Sequence, residues 1–258
     1  MFGAALGDIV GSLYEFDPIK RKDFPFLEDD MSYTDDTIMT AAVLEALMES
    51  DISDEETTKK NLVRRMKEWG RRYPHPTGAY GSMFSYWLHS PSPEPYGSWG
   101  NGSAMRVSGA GWLYDTIEET RKAARLSAEV THNHEEGIKG AEATASAIFL
   151  GRNGGSKEEI KAYIEKEFGY DLSRSLSSIR PLYSFDGSCQ GTVPESIISF
   201  LEGESTEDTI RNAISLGGDA DTMGAIAGSI AEAYWKEDLS LLVKPYLPDD
   251  IYSTLSRI

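Results

Sequence analysis

The segment TMGAIAGSIAEAYW, from Thr222 to Trp235, decides the fold class because it is small or apolar on several faces of a helix. A helix with this character belongs in the centre of a protein. Other segments with apolar residues at helical spacing are predicted as helices at 37–48, 54–72, 116–130, 135–150, 157–168, 194–201 and 206–216. Strand-like alternation is rare and short. The sequence therefore predicts an all-α fold, a compact orthogonal multi-helix bundle of roughly ten or more helices.

Length and charge limit the classes of protein that fit. The 258 residues are predicted to form a single domain, 1–258, because a chain of this size can bury roughly 75% of its unfolded surface. The net charge of −17 argues against binding to nucleic acid or to anionic lipid, since both need a basic face. We therefore expect no nucleic-acid partner.

Cysteine usage and the N-terminal segment bear on the compartment. Cys189 is the single cysteine, so no disulfide can form within the chain. The N-terminal segment lacks a basic region and reaches Asp8 early, which is unlike a signal peptide. No window is apolar enough to span a bilayer. We expect a cytoplasmic protein, a monomer, without membrane contact.

Two acidic clusters stand at the starts of predicted core helices. They are YTDDT at Tyr33–Thr37 and GGDADT at Gly217–Thr222. Each has an ordinary interpretation as a helix N-cap whose acids complement the helix dipole. Each also holds more carboxylate than a cap needs, and four carboxylates brought together repel one another unless cations neutralise them. Oxygen ligands suit Mg²⁺, Mn²⁺ or Ca²⁺, and four carboxylates suit two ions better than one.

Further segments have two interpretations each. The helix predicted at Gly7–Glu15 packs closely through its glycines, and Glu15 lies either in solvent or near the acidic clusters. The glycine-rich loop YGSWGNGSAMR, Tyr96–Arg106, either cradles a phosphate with its amides or forms a simple turn. Arg106, predicted one turn into a helix, would pair with an acid or with phosphate. The segment THNH at 131–134 is interpreted as a polar helix junction, because the histidines lack zinc-ligand spacing.

Together these segments resemble the ADP-ribosylglycohydrolase family. The matching motifs occur in order along most of the chain: Gly3–Asp8 with Gly11 and Glu15, Thr34–Thr37, Gly100–Arg106, Thr131–His132 and Gly217–Thr222. No single motif decides the resemblance, but five collinear matches are specific. The chain departs from the family in its shorter length and in reading AEAYW at Ala231–Trp235, where further glycines are common. The segment between His132 and Asp219 is not distinctive either.

The resemblance implies a binuclear centre of two Mg²⁺ or Mn²⁺ ions in an all-α fold. It implies that the metal ligands are Thr34, Asp35, Asp36, Asp219, Asp221 and Thr222. Asp36 and Glu15 become the candidate catalytic residues, with Glu15 near the metals and the substrate ribose. The residues implied to bind the diphosphate and distal ribose are Gly97, Ser98, Trp99, Gly100, Asn101, Gly102, Ser103 and His132.

The activity implied is metal-dependent hydrolysis of the glycosidic bond that links ADP-ribose to an acceptor. The partner is then an ADP-ribosylated protein or a small-molecule ADP-ribose conjugate. Arginine-linked ADP-ribose is favoured, and serine-linked ADP-ribose and O-acetyl-ADP-ribose are the other candidates. Two other classes stay open: a non-catalytic ADP-ribose or nucleotide binder, and a metal phosphohydrolase that cleaves the diphosphate.

Overall fold

The computed structural model describes every residue from Met1 to Ile258. It contains fifteen α-helices, one short 3-10 helix and no β-sheet, which confirms the predicted all-α class. No helix combines the length and the apolar character needed to cross a bilayer. In chain order the α-helices are α1 (Gly3–Gly11), α2 (Asp35–Met48), α3 (Glu55–Arg72), α4 (Ser82–His89), α5 (Gly102–Met105), α6 (Ser108–Leu113), α7 (Ile117–Glu129), α8 (Glu135–Arg152), α9 (Lys157–Phe168), α10 (Leu176–Ile179), α11 (Cys189–Glu202), α12 (Thr206–Ile214), α13 (Ala220–Trp235), α14 (Ser240–Val243) and α15 (Asp249–Leu255), with the 3-10 helix at Lys244–Tyr246.

Helix α13 is the central element, as its sequence predicts. Every residue from Ala220 to Ala233 is buried. The helix packs against α1, α8, α11 and α12. The apolar core forms two clusters of 41 and 24 buried residues, and α8 supplies small side chains such as Ala141 and Ala143 to one cluster each.

Helices α1 and α13 approach each other along a glycine seam. A Cβ atom added to Gly7 would lie 1.9 Å from the carbonyl oxygen of Gly224, so only glycine fits there. Residue numbers rise along α1 as they fall along α13, so the two helices are antiparallel. The end of α1 therefore lies beside the start of α13. The helix predicted at Gly7–Glu15 is displaced, because α1 spans Gly3–Gly11 and Glu15 follows it after a turn. The seam consists of Gly3, Gly7 and Gly11 on α1 and of Ala220, Gly224 and Gly228 on α13.

Some predicted helix boundaries are wrong. Helix α11 begins at Cys189 rather than at 194, and Pro194 lies inside it instead of in its first turn. The Ser188 side chain caps α11 by accepting a hydrogen bond from the amide of Gly191. Helix α8 was predicted to end at 150, just before Gly151, but it continues through this glycine to Arg152. Capping side chains and tertiary contacts therefore override the local proline and glycine signals.

Candidate active site

The first acidic cluster forms the start of helix α2 and is held in place by hydrogen bonds to Asp8 of α1. Thr34 is the N-cap, and its Oγ1 accepts a hydrogen bond from the amide of Asp36 at 3.2 Å. The buried Asp8 carboxylate accepts from the amides of Thr34 and Thr37 at 2.9 and 3.1 Å and from their hydroxyls at 2.7 and 2.5 Å. Burial raises the pKa of Asp8 to about 6, against the effect of these hydrogen bonds. Asp8 thus joins α1 to the first turn of α2.

The second acidic cluster opens helix α13 without a side-chain cap. Asp219 occupies the N-cap position but makes no capping hydrogen bond. Its carboxylate instead accepts from Nδ2 of Asn101 at 2.8 Å. The Oγ1 of Thr222 donates to Oδ2 of Asp36 at 3.3 Å and so connects the two clusters directly. The interpretation of both clusters as helix caps therefore fits α2 but not α13.

Acidic groups from three segments converge where these helix ends meet. Carboxylate oxygens of Glu15, Asp219 and Asp221 lie within 4.8 Å of one another. Burial and the nearby charge of Asp221 raise the pKa of Glu15 to about 8. The same two causes raise the pKa values of Asp35 and Asp36 well above their ordinary range. Carboxylates this close cannot all ionise without a compensating cation.

The residues present fit a site for divalent cations. Oδ1 of Asp36 is buried and has no hydrogen-bond partner in the protein. A buried oxygen without a donor is costly unless a cation or water satisfies it. The donor set contains oxygen alone, which suits Mg²⁺ or Mn²⁺ better than zinc. The predicted ligands on the cavity surface are Asp35, Asp36, Asp219, Asp221 and Thr222, and Glu15 lies beside them.

Thr34 is the predicted ligand that lies apart from this surface. It is buried and does not line the cavity. Its hydroxyl donates to Oδ1 of Asp8 and accepts from the amide of Asp36. One lone pair is left on this oxygen, so its role as a metal ligand stays a prediction.

The acidic groups line a cavity of about 490 Å³. Some residues of the predicted substrate-binding loop line this cavity, whereas Gly97, Trp99 and Ser103 do not. Trp99 is half-exposed with its ring 5.5 Å from that of His134, and the Ser103 hydroxyl donates to the carbonyl of Gly137 at 2.7 Å. The amide of Gly97 donates to Oδ1 of Asn133. The predicted substrate-binding residues that line the cavity are Ser98, Gly100, Asn101, Gly102 and His132.

In the structure, fewer backbone amides of this loop are free to bind a phosphate than the sequence predicts. The amide of Gly100 donates to Oγ of Ser98 at 3.0 Å, and that of Asn101 donates to the carbonyl of Gly187 at 2.8 Å. These amides are therefore committed within the protein. The helix that follows, α5, has four residues, so it contributes little dipole. Amides at its first turn, which have no partner within the helix, are the remaining candidates.

Arg106 differs from its predicted position and links the loop to His132. It follows α5 as the C-cap instead of lying one turn inside a helix. Its Nη2 donates to neutral oxygens, the carbonyl of Ser127 at 2.9 Å and Oγ1 of Thr131 at 2.7 Å. Thr131 Oγ1 is in turn 2.7 Å from Nδ1 of His132. Burial, then the charge of Arg106, lowers the pKa of His132 well below its ordinary value.

Two features, the anchor beneath the site and one wall of the cavity, are absent from the sequence-based prediction. Asp8 was quoted as part of a motif but given no role, although an acid on a glycine-rich core helix needs buried hydrogen-bond donors. The segment Gly78–Phe84 lines the cavity with Phe16. Gly78 has a left-handed backbone, and a Cβ there would lie 3.0 Å from Oε2 of Glu15. The run PHPTGAYG signals only a turn, so its place in the wall depends on tertiary structure.

Comparison with known proteins identifies the family of this chain. Residues 1–249 match the family described as ADP-ribosylglycohydrolase. ADP-ribosylhydrolase ARH3 of Mus musculus is 28% identical over 308 residues, covering 90% of this chain and 82% of that protein. ADP-ribosylarginine hydrolase Tri1 of Pseudomonas putida is 24% identical over 263 residues, covering 91% and 69%. A solved structure described as an ADP-ribosylglycohydrolase-related protein complex has a TM-score of 0.68 and 25% identity, covering 97% of this chain and 88% of that one. With a family match that runs over nearly its whole length, this chain belongs to the ADP-ribosylglycohydrolase family.

Proposed function

We propose that the protein hydrolyses the glycosidic bond between C1″ of ADP-ribose and an acceptor, and that the reaction depends on divalent metal ions. One observation carries the proposal: Glu15, Asp219 and Asp221 converge beside the unpartnered oxygen of Asp36 at a single cavity. The family and the names of its relatives support an ADP-ribose conjugate as the substrate.

Two Mg²⁺ or Mn²⁺ ions would suit a donor set that consists of oxygen alone. When bound, they would neutralise the carboxylates, bind ribose hydroxyls and polarise a water molecule. At the start of α13, Asp219 makes no capping hydrogen bond, and the amide of Thr222 donates to Oδ1 of Asp221 only, so oxygens of both carboxylates remain available to a cation. The residues that would hold the ions are Thr34, Asp35, Asp36, Asp219, Asp221 and Thr222.

Glu15 is the better placed of the two candidate general bases. It is half-buried on the cavity surface, so it can take a proton from water and release it to solvent. Asp36 is buried, and one of its oxygens already accepts from Thr222. Asp36 would therefore act as a ligand. The carboxylates around the cavity also stabilise the positive charge that develops on the sugar as the bond breaks.

Arginine-linked ADP-ribose is the first substrate to test. The acidic cavity complements a guanidinium group, and one relative is named as an ADP-ribosylarginine hydrolase. Serine-linked ADP-ribose and O-acetyl-ADP-ribose are the alternatives. Their acceptors carry no positive charge on the linking group, so they would gain less from the carboxylates.

The test is release of ADP-ribose from each of the three substrates in the presence of Mg²⁺ or Mn²⁺. Asp36→Asn should lower the rate at least about 100-fold, while Asp115→Asn, an exposed aspartate outside the cavity, should leave it unchanged. AMP as the product would indicate a phosphohydrolase instead. Binding without turnover, insensitive to EDTA and to Asp36→Asn, would indicate a non-catalytic binder.

A further inference from the structure

We infer that Arg106 is a positioning residue that, through Thr131, fixes His132 in the tautomer with its proton on Nε2. In this form His132 presents a neutral N–H donor to an oxygen of the bound ligand. The identity of that ligand as ADP-ribose rests on the proposed function. The tautomer itself is a property of the protein and can be measured without any substrate.

The first step is the unusual environment of Arg106. Its side chain is 1% exposed and lines the cavity. Its guanidinium donates from Nη2 to two neutral oxygens, and Nε has no partner. The ring of Phe84 lies 5.8 Å from its central carbon. A buried cation is ordinarily compensated by a carboxylate, so a purely structural role explains this arrangement poorly.

The second step is a proton count at Thr131. Its Oγ1 accepts from Nη2 of Arg106 at 2.7 Å, and its other polar neighbour within hydrogen-bond distance is Nδ1 of His132, also at 2.7 Å. Arginine only donates, so the single hydroxyl proton of Thr131 must point to Nδ1. Nδ1 therefore accepts and carries no proton. The opposite tautomer would leave this buried hydroxyl proton without an acceptor.

The third step is the position of Nε2. It lies 3.1 Å from where a Cβ of Gly102 would be and 3.5 Å from that of Gly100. His132, Gly100 and Gly102 all line the cavity, and the ring's hydrogen bond within the protein is at Nδ1. The glycines leave room beside Nε2. Its proton is thus available to a phosphate or ribose oxygen that enters the cavity.

The direct test is ¹⁵N NMR of the histidine ring in the ligand-free protein at neutral pH. The wild type should show Nδ1 unprotonated and Nε2 protonated. Thr131→Val and Arg106→Met should each give a mixture of tautomers, while Thr131→Ser, which restores the hydroxyl, should keep the wild-type pattern. A wild-type ring with a proton on Nδ1 would overturn the inference, and an unchanged Arg106→Met spectrum would remove Arg106 from it.

A second test does not depend on whether the Arg106 and Thr131 variants fold. In His132→Gln the side-chain amide N–H reaches the position of Nε2, whereas in His132→Asn it reaches only that of Nδ1. Calorimetry with ADP-ribose and with ADP should show about 10-fold weaker binding for His132→Asn and less than about 3-fold for His132→Gln. A loss with both probes assigns the acceptor oxygen to the ADP part, and a loss with ADP-ribose alone assigns it to the distal ribose. Equal losses in the two variants would contradict a donor at Nε2.

If the protein hydrolyses the substrate, the same pair separates binding from chemistry. His132→Asn should raise KM about 10-fold and change kcat much less, because the donor acts on the bound ligand in both ground and transition states. If no hydrolysis is found while the NMR result holds, the proposed function fails and the role of Arg106 stands.

Discussion

The starts of α2 and α13 have similar sequences, TDDT and DADT, but different surroundings. At α2, Thr34 caps the helix and the buried Asp8 accepts four hydrogen bonds from the first turn. At α13, Asp219 makes no capping bond, and Asp221 is surrounded mainly by other acids. A buried acid with enough donors is a structural anchor. A buried acid among other acids is a binding site, because only a cation makes its charge favourable.

The largest expected effect comes from separating the two helix starts at the glycine seam. Gly7→Ala places a methyl group 1.9 Å from the carbonyl oxygen of Gly224, so α1 must move away from α13. We expect the free energy of unfolding to fall by about 3 kcal/mol or more. Chemical denaturation measures it. Gly81→Ala is the matched control because nothing lies within 4 Å of its Cβ position, and a similar loss there would refute the packing explanation.

The second prediction compares the unfolding free energies of variants at Asp8, which anchors α2, and at Asp221, which lines the cavity. Asp8→Asn replaces an acceptor oxygen with a donor facing Thr34 and Thr37, and should cost about 2–3 kcal/mol of unfolding free energy. Asp221→Asn in EDTA should leave stability equal or higher, because it removes a like charge from the cluster. Denaturation of both variants in EDTA checks this. Equal destabilisation would mean that the two acids are equivalent, contrary to the comparison.

The third effect is the pH dependence of stability without metal. An acid whose pKa is higher in the folded than in the unfolded protein binds more protons when folded, so stability falls as pH rises between the two values. With the pKa of Asp8 at about 6 and that of Glu15 at about 8, this window runs from about 4 to about 8. In EDTA the melting temperature should drop by about 4 °C or more between pH 5 and pH 8.

Added metal and one substitution test whether the cavity carboxylates cause this pH dependence of the melting temperature. Saturating Mn²⁺ should reduce or reverse the drop, because the ion binds the ionised carboxylates and so stabilises the folded state. Glu15→Gln should flatten the profile near pH 8, since burial and the charge of Asp221 raise the pKa of Glu15 to about 8. A metal-free protein that becomes more stable towards pH 8 would show that the carboxylates are satisfied by the protein itself.

The smallest expected effects are the stability losses of valine variants at Thr34 and Thr222. Thr34→Val removes the N-cap of α2 and should cost about 1–2 kcal/mol, which Thr34→Ser should largely restore. Thr222→Val removes one 3.3 Å hydrogen bond to Asp36 and should cost less than about 1 kcal/mol in EDTA. Its effect should appear instead as weaker Mn²⁺ binding in a titration. A larger stability loss for Thr222→Val than for Thr34→Val would contradict the greater structural role assigned to Thr34 as the cap of α2.

The sequence predicts the elements whose signals are local. The long helices are recovered because apolar spacing reports burial directly, and α9 has the predicted bounds of Lys157–Phe168. The short helices α4, α10, α14 and α15 are missing from the prediction because so few residues show little periodicity. Pro194 misplaces the start of α11 because a proline is tolerated inside a helix when caps and packing compensate.

The site is predicted less completely because its contacts are long-range. The acidic clusters are visible, but which of them is capped depends on Asp8, 26 positions before Thr34. The partners of Arg106 are likewise invisible, because they lie on α7 and beyond it. A charged residue in the sequence indicates which kind of group it would bind. The sequence does not show whether another residue of the folded protein already supplies that group.

The glycine seam also limits how this protein can change through evolution. At Gly3, Gly7 and Gly11 the partner backbone leaves no volume for a side chain, so a substitution on one helix cannot be compensated by a smaller residue opposite. An insertion of one residue within α1 would rotate the helix by about 100° and turn Glu15 away from Asp221. Diversity among descendants of this sequence should therefore accumulate on the opposite face of α1 and in the loops, with helix length held constant between Gly3 and Gly11.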